Sequence, residues 1–254
     1  MFPISDSAPR AAQPFVTELF ILVNTLVFLW MWTLAPRALE SITFEYALVP
    51  LRYSDPVDAR AAGLDPDDWW PLLTNTFMHG GWLHLILNMW TLWIFGPAME
   101  ARFGRLGFAV LYLVGGAVAS VTHLIANLDS AVPALGASGA IAAVIAAYAV
   151  IYPRERVLLI VPLGILFIPL WAPAVLFALI WFGIQVLQGT HALFAPSMGS
   201  GVAWWAHIGG FAFGALAALP VRHTGWARGM RTSQWNAGDF PNSRGRFPGP
   251  WSRD

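Results

Sequence analysis

The sequence contains no cysteine and no lysine, and it has few charged residues of either sign. The absence of cysteine excludes disulfide bonds, thiolate nucleophiles and thiolate metal sites. Charged residues make up 11% of the 254 residues, against about 25% in an average soluble domain. Arginines and acidic residues number 14 each, so the net charge is zero. A uniformly basic surface for nucleic acid is therefore not expected.

Long apolar runs dominate what is present. Hydrophobic residues make up 57% of the chain and the mean hydropathy is +0.59. This composition predicts an all-α polytopic membrane protein and excludes a soluble domain. Six helices of about 20 residues would use roughly 120 residues. The predicted spans are residues 19–35, 82–99, 106–125, 138–152, 172–188 and 202–221.

The chain divides into three regions. We expect a cytoplasmic N-terminal segment (residues 1–14), a membrane domain (residues 15–221) with a long first outer loop at 36–78, and a polar, disordered cytoplasmic tail (residues 222–254). Residues 157–171 are also apolar, but Pro162 and Pro169 interrupt them. A run of about 15 residues fits an interfacial or re-entrant segment better than a full crossing.

The distribution of arginine predicts the orientation. With six spans and the N-terminus inside, the outer side holds only three arginines. These are Arg37, Arg52 and Arg60, and the inner side holds the remainder, Arg10, Arg102, Arg105, Arg154, Arg156, Arg222, Arg228, Arg231, Arg244, Arg246 and Arg253. A seventh span would move the arginines of the tail outside, against the positive-inside rule. Both termini are therefore expected in the cytoplasm of a multi-pass cell-membrane protein, with a bacterial inner membrane as the expected location.

Polar residues concentrate in three of the apolar segments, where a polar group is costly and therefore a candidate for function. The segments are HGGWLHLILN at 79–88, GASGA at 136–140 and AHIGGFAFG at 206–214. Asn88 and His207 each lie about 8–9 Å below the outer end of their helix, at 1.5 Å per residue. Ser138 opens a span of about 15 residues, which must start below the surface to reach the other side. The three sites can therefore share one depth.

This combination favours an acyl-transfer site. Serine needs a base to take its proton, and His207 can do so for Ser138. The oxyanion requires donors, which Asn88, His84 and the backbone N–H of Ser138 could supply. The spans contain no carboxylate to orient His207, so the predicted machinery is a dyad. Glycines beside Ser138 permit close backbone approach, and Gly210 and Gly214 permit close packing of the sixth helix.

Simpler interpretations exist for each residue taken singly. Ser138 alone could be a helix N-cap, and the two glycines alone could be a packing motif. His79, His84 and His207 could in principle hold a metal, but their spacing matches no metal motif, so neither a metal nor another cofactor is expected. The joint occurrence of all three segments favours catalysis.

The three segments together resemble the rhomboid family of intramembrane serine proteases over residues 15–221. They are similar to its HxxxxHxxxN, GxSG and AHxxGxxxG motifs. The resemblance implies that Ser138 is the nucleophile and His207 the base, with His84 and Asn88 at the oxyanion. It also implies a structural role for His79 and for the glycines of the motifs, Gly136, Gly139, Gly210 and Gly214.

Other positions extend or break this resemblance. Glu100 matches a family glutamate, whereas Pro71 replaces a first-loop arginine and Ala142 replaces an aromatic ring of some members. Phe177 and Trp181 resemble the family's aromatic gate. They lie on one face of the fifth span. We expect them to fill the interface between the fifth and second spans, around residues 87 and 91, and to obstruct the entry of a substrate helix. The alternative is that both rings only pack against neighbouring helices.

The predicted function is that of an endopeptidase that hydrolyses peptide bonds in or near the transmembrane helices of membrane proteins, within the lipid bilayer. The alternative is a catalytically inactive relative that binds membrane-protein clients. A transporter is disfavoured, because no pair of interrupted helices or intramembrane charges indicates a substrate path.

Overall fold

The computed structural model describes residues 2–11, 13–164, 166–194 and 203–222. These residues are mostly helical. The strands are β1 (Phe2–Asp6), β2 (Arg156–Leu163) and β3 (Leu166–Pro173), and Asn75–Phe77 forms one turn of 3-10 helix. The helices are α1 (Phe15–Trp32), α2 (Pro36–Tyr46), α3 (Leu51–Ser54), α4 (Pro56–Ala61), α5 (Pro71–Thr74), α6 (Trp82–Ala126), α7 (Ser138–Ile151), α8 (Ala174–Phe194) and α9 (Trp204–Arg222). Beyond Arg222, the predicted tail lies outside the described residues.

Four of the described helices are long and apolar enough to cross a membrane: α1, α6, α8 and α9. Helix α6 has 45 residues and contains a break at Gly104, whose φ of 76° and ψ of 166° are not helical. This break falls between the predicted spans 82–99 and 106–125. Helix α7 is apolar but has only 14 residues, or about 21 Å. Length and composition therefore confirm a multi-pass helical protein, with four candidate spans among the described residues.

The expectation of an all-α protein was wrong, because β1, β2 and β3 form an antiparallel sheet in that order. Residues 157–171, predicted to be interfacial or re-entrant, lie in the hairpin of β2 and β3. Proline lacks the N–H that a helix interior needs, but an edge strand such as β3 accommodates Pro169. Gly164, with φ of 64°, lies at the turn. The N-terminal segment takes part in the same sheet, since β1 pairs with β2.

The loop between α1 and α6, predicted to be the first outer loop, contains four short helices, α2 to α5, and is anchored by a buried arginine. Arg52 is 2% exposed. Its Nη2 donates to the carbonyl oxygens of Phe44 and Glu45 at 2.6 and 2.9 Å, and its Nη1 lies 3.4 Å from a carboxylate oxygen of Asp68. Arg52 thus ties two stretches of the loop together, although Pro71 occupies the position of the family's loop arginine.

The segments that connect the long helices lie at the two opposite ends of these helices. At one end, Leu48 and Ala134 exchange backbone hydrogen bonds of 2.9 and 2.8 Å, which join the first loop to the segment before α7. At the other end lie the sheet and the C-terminal end of α9, where Arg102 donates to the carbonyl oxygen of Arg222 at 3.0 Å. The N-terminal strand, the break in α6 and the end of α9 therefore share the end opposite the start of α7.

Helix α7 is the buried centre of the fold, and its backbone packs closely against α9 at two glycines. A Cβ on Gly210 would lie 2.0 Å from the carbonyl oxygen of Gly139, and one on Gly214 would lie 2.0 Å from that of Ala143. These two contacts, one helical turn apart, fix the register of the two helices. They place the first turn of α9 beside the first turn of α7.

We expect Gly214→Ala to lower the free energy of unfolding by about 1–3 kcal/mol, because the new Cβ would force the two backbones apart. Thermal melting in detergent measures this change. Gly183→Ala on α8 is the control, since a Cβ there meets nothing within 4 Å. Equal melting temperatures for the two variants would contradict the close packing of α7 and α9.

The start of α1 is held by a buried carboxylate from another helix. Glu100 is fully buried and accepts the backbone N–H groups of Val16 and Thr17 at 3.0 and 2.9 Å, as well as the Thr17 hydroxyl at 2.9 Å. A negative charge is favourable at a helix N-terminus, where backbone N–H groups lack helical partners. Glu100 therefore locks α1 against the first half of α6.

Candidate active site

Ser138 and His207, which lie 69 residues apart, come together where α7 and α9 begin. The Ser138 Oγ lies 2.6 Å from His207 Nε2, within hydrogen-bond distance of a hydroxyl and a ring nitrogen. Ser138 is the first residue of α7, so its N–H is among those with no partner in the helix. His207 is 8% exposed. A serine hydroxyl and an imidazole nitrogen are therefore in contact, in largely buried surroundings.

Gln185 on α8 is a third member of this chain of hydrogen bonds, and it was not among the site residues predicted from the sequence. Its Oε1 lies 2.7 Å from His207 Nδ1, and the side chain is buried. The expectation that His207 lacks an orienting carboxylate considered acids alone, and an uncharged amide takes that position. The available signal was a polar residue within the apolar run of the fifth span, which marks a candidate for function.

Two tryptophans contact the His207 ring. The ring centroid of Trp181 on α8 lies 5.7 Å from that of His207, and the centroid of Trp204 lies 6.1 Å away in an edge-on arrangement. Both distances fall within the range of favourable aromatic contacts. Ala142 replaces an aromatic residue of some family members, and here α8 and α9 supply the rings.

Asn88 is buried beside the start of α7 and is held by His79. Its Nδ2 lies 3.0 Å from His79 Nε2, and it would lie 3.8 Å from a Cβ on Gly136. Burial, followed by the nearby His84, lowers the pKa of His79 to about 3, so His79 is neutral at physiological pH. A neutral Nε2 can accept one amide hydrogen, and the second hydrogen of Asn88 Nδ2 then remains for another acceptor.

His84 packs directly on Gly136, two residues before Ser138. A Cβ on Gly136 would lie 2.6 Å from His84 Cε1, and the φ of 134° at this residue also favours glycine. The His84 and His79 rings meet edge to face, with centroids 5.0 Å apart. All the predicted oxyanion residues, His84, Asn88 and Ser138, therefore adjoin one short stretch of chain.

The segment before Ser138 is supported by Asn75, a buried residue that was not predicted from the sequence. The backbone carbonyl oxygen of Asn75 accepts the Gly136 N–H at 2.9 Å, and its side-chain Nδ2 donates to the Ser120 hydroxyl of α6 at 2.8 Å. On the far side, a Cβ on Gly139 would lie 2.5 Å from the Cβ of Ala119. The turn that presents Ser138 is thus held on both sides by α6 and its preceding loop.

A small cavity of about 20 Å³ adjoins Ser138, which is enough for one water molecule. Polar side chains of Asn75, Thr76, Ser120 and His123 contribute to its lining. Such groups can hydrogen-bond a water or a polar group of a ligand next to the serine hydroxyl.

The two rings predicted to form a gate lie in different surroundings. Phe177 is 3% exposed and stacks on Phe95 of α6, with ring centroids 5.6 Å apart. Trp181 is half-buried and contacts His207 and Phe211. The burial of Phe177 favours the alternative of ordinary packing for that residue, whereas Trp181 lies beside the candidate site.

Comparison with known proteins is consistent with this arrangement. The model of the Rhomboid domain matches residues 66–224. "RHOMBOID-like protein 4" of Arabidopsis thaliana is 34% identical over 173 residues, which cover 63% of this chain and 36% of that protein. "Presenilin-associated rhomboid-like protein A, mitochondrial" of Danio rerio is 30% identical over 152 residues, or 57% of this chain and 35% of that protein.

A bacterial relative is also similar. "Putative rhomboid protease YdcA" of Bacillus subtilis is 29% identical over 109 residues, which cover 41% of this chain and 54% of that protein. The chain thus spans about a third to a half of the length of these curated relatives. The match to the domain model covers more than half of the chain and includes the segments of Ser138 and His207, and the protein belongs to the rhomboid family.

Proposed function

We propose that the protein is an intramembrane serine endopeptidase that uses Ser138 as nucleophile and His207 as base. The observation that carries this proposal is the 2.6 Å contact between Ser138 Oγ and His207 Nε2. A serine hydroxyl in a helix start needs no such partner, since it can cap the helix by itself. A ring nitrogen within reach of the hydroxyl is what proton removal requires.

The proposed reaction has two halves. Ser138 Oγ attacks the carbonyl carbon of the scissile peptide bond while His207 Nε2 takes the hydroxyl proton. The tetrahedral intermediate collapses, the C–N bond breaks, and His207 returns the proton to the leaving amine. Water then attacks the resulting ester, again with His207 as base, and releases the second product and free Ser138.

Three groups can stabilise the negative oxygen of the intermediate. These are the Ser138 backbone N–H, the Asn88 amide and the His84 ring. The contact with His79 holds the Asn88 side chain, so its second amide hydrogen would require little reorganisation to donate to the oxyanion during the reaction. The stabilisation is effective because the groups are sheltered from bulk water.

The substrate class follows from the position of the site on short α7. A 14-residue helix spans about 21 Å of a hydrocarbon core of about 30 Å. If its far end reaches the inner surface, Ser138 lies below the outer surface, where a substrate helix hides its carbonyl groups. We therefore expect transmembrane proteins as substrates, with local unwinding near glycine, proline or small residues before cleavage.

We also propose six crossings, made by α1, the two halves of α6 around Gly104, α7, α8 and α9. Each end of the fold then faces one side of the membrane, and the excess of arginine at the sheet end assigns that end to the cytoplasm. Both termini would be cytoplasmic, with a bacterial inner membrane as the proposed location. The site would open outward, where water is accessible for hydrolysis of the ester.

For the gate, we retain Trp181 and assign Phe177 to packing. Trp181→Ala is expected to raise the cleavage rate of a transmembrane substrate by more than it changes the hydrolysis of a small soluble ester, because only the large substrate must pass the ring. Phe177→Ala is expected to cost about 3–5 kcal/mol of stability instead, through loss of buried ring contacts. Melting curves and the two rate assays separate these outcomes. Slower cleavage by a folded Trp181→Ala variant would contradict the gate.

Cleavage of a model transmembrane substrate tests the proposed function. The purified protein in detergent should produce two fragments, and Ser138→Ala should produce none while melting at an unchanged temperature. The alternative, an inactive relative that binds membrane-protein clients, predicts that both proteins capture the substrate intact. Capture without fragments by the wild type would overturn the proposal.

A further inference from the structure

We propose that Gln185 is a positioning residue that holds His207 in the one tautomer able to accept the Ser138 proton. This inference rests on the proposed function and adds a third residue to the dyad. The supporting observations are the 2.7 Å contact between Gln185 Oε1 and His207 Nδ1, and the burial of both side chains.

The orientation of the Gln185 amide follows from its second contact. Its Nε2 lies 3.4 Å from the carbonyl oxygen of Trp181, one turn earlier on α8. A carbonyl oxygen can only accept, so the amide nitrogen faces Trp181 and Oε1 faces the histidine. Because Oε1 also can only accept, Nδ1 of His207 must carry the hydrogen. Nε2 is then left with the lone pair that faces Ser138 Oγ.

The same hydrogen bond would strengthen during the reaction. When His207 takes the serine proton, the ring becomes positively charged and its Nδ1–H becomes a better donor. Hydrogen bonds from charged donors are roughly twice as strong as neutral ones. An interaction that is stronger in the transition state than in the ground state raises kcat, not substrate affinity. Gln185 thus performs with an uncharged amide the orienting task that a carboxylate performs in Ser-His-Asp enzymes.

Gln185 also links a third helix to the pair. The glycine contacts between α7 and α9 set the distance between the backbones of Ser138 and His207, but they do not determine how the His207 ring is rotated or protonated. The contact with Gln185 on α8 determines both the rotation and the protonated nitrogen of the ring. A displacement of α8 that breaks the Gln185 contact would therefore impair the base while leaving the two catalytic side chains in place.

Two replacements test the inference. Gln185→Met keeps nearly the same shape and removes the oxygen acceptor, and Gln185→Asn keeps the amide but is one methylene too short. Each is expected to lower kcat for a model substrate by about tenfold, the value of one hydrogen bond, with KM unchanged. Gln185→Glu retains an acceptor oxygen and is expected to recover most of the lost kcat. Gln188→Met, on an exposed position of the same helix, is the matched control.

The outcomes are distinct. A lower kcat in Gln185→Met and Gln185→Asn, recovery in Gln185→Glu and normal rates in Gln188→Met support the inference. Wild-type kcat in a folded Met or Asn variant overturns it, as does an equal loss in Met, Asn and Glu, which would indicate packing alone. If the wild type neither cleaves a substrate nor reacts with a fluorophosphonate, the proposed function itself fails, and this inference fails with it.

Discussion

Ser138→Ala should lower kcat for a transmembrane substrate by about 10⁴- to 10⁶-fold, since among the described residues Ser138 supplies the hydroxyl in contact with His207 Nε2. His207→Ala should cause a loss of similar size. The two side chains act as a unit through their 2.6 Å contact, so the double variant should be no slower than either single one. Initial rates of fragment release, measured by gel or mass spectrometry, provide the comparison.

The control for this pair is Ser130→Ala, in the segment between α6 and α7. Its hydroxyl accepts a backbone N–H of Val132 at 3.2 Å, away from His207. This variant should cleave at the wild-type rate, whereas Ser138→Ala should be inactive yet melt normally. Near-normal activity in Ser138→Ala or in His207→Ala would eliminate the dyad, and additive losses in the double variant would indicate independent roles.

Asn88→Ala should lower kcat by about 10²–10³-fold with little change in KM. The proposed partner of its amide is a charge that exists only in the transition state, and loss of one such donor typically has this effect. If His84 also donates to the oxyanion, the loss of kcat should be closer to about 10²-fold. Steady-state kinetics at several substrate concentrations separate kcat from KM.

His79→Ala helps to interpret that result. It removes the partner of Asn88 Nδ2 but leaves the amide itself, so its effect on kcat should be smaller than that of Asn88→Ala. If Asn88→Ala raises only KM, Asn88 binds substrate and does not stabilise the oxyanion. If both variants merely melt at lower temperature with normal kcat, the pair is structural.

The approach of Ser138 to His207 could be anticipated from the sequence because a membrane limits the alternatives. Helices that cross a bilayer have known length and direction, so the depth of a residue follows from its distance along the helix. Glycines at Gly210 and Gly214 indicated where two helices could approach, and those positions do meet the backbone of α7. The spacing of polar residues and glycines along a helix therefore predicts the depth of a site in the membrane and the point where two helices approach.

The β-hairpin and Gln185 could not be anticipated in the same way. In residues 157–171, apolar residues with prolines indicate only that a helix is disfavoured, and the third strand of the sheet depends on pairing between β2 and a strand about 150 residues earlier. Gln185 depends on the rotation of α8, which is set by packing and not by the sequence of that helix alone. Long-range pairing and helix rotation are properties of the assembled fold.

The position of a covalent adduct tests the central claim most directly. The wild-type protein should react with a fluorophosphonate and gain the mass of one adduct, and peptide mapping should locate the adduct on Ser138. Reaction depends on a serine made nucleophilic by a neighbouring base, which the proposed site supplies through His207. An adduct on Ser138 that is lost in His207→Ala is the predicted result. An unreactive wild-type protein, or an adduct on a different serine, would contradict the account.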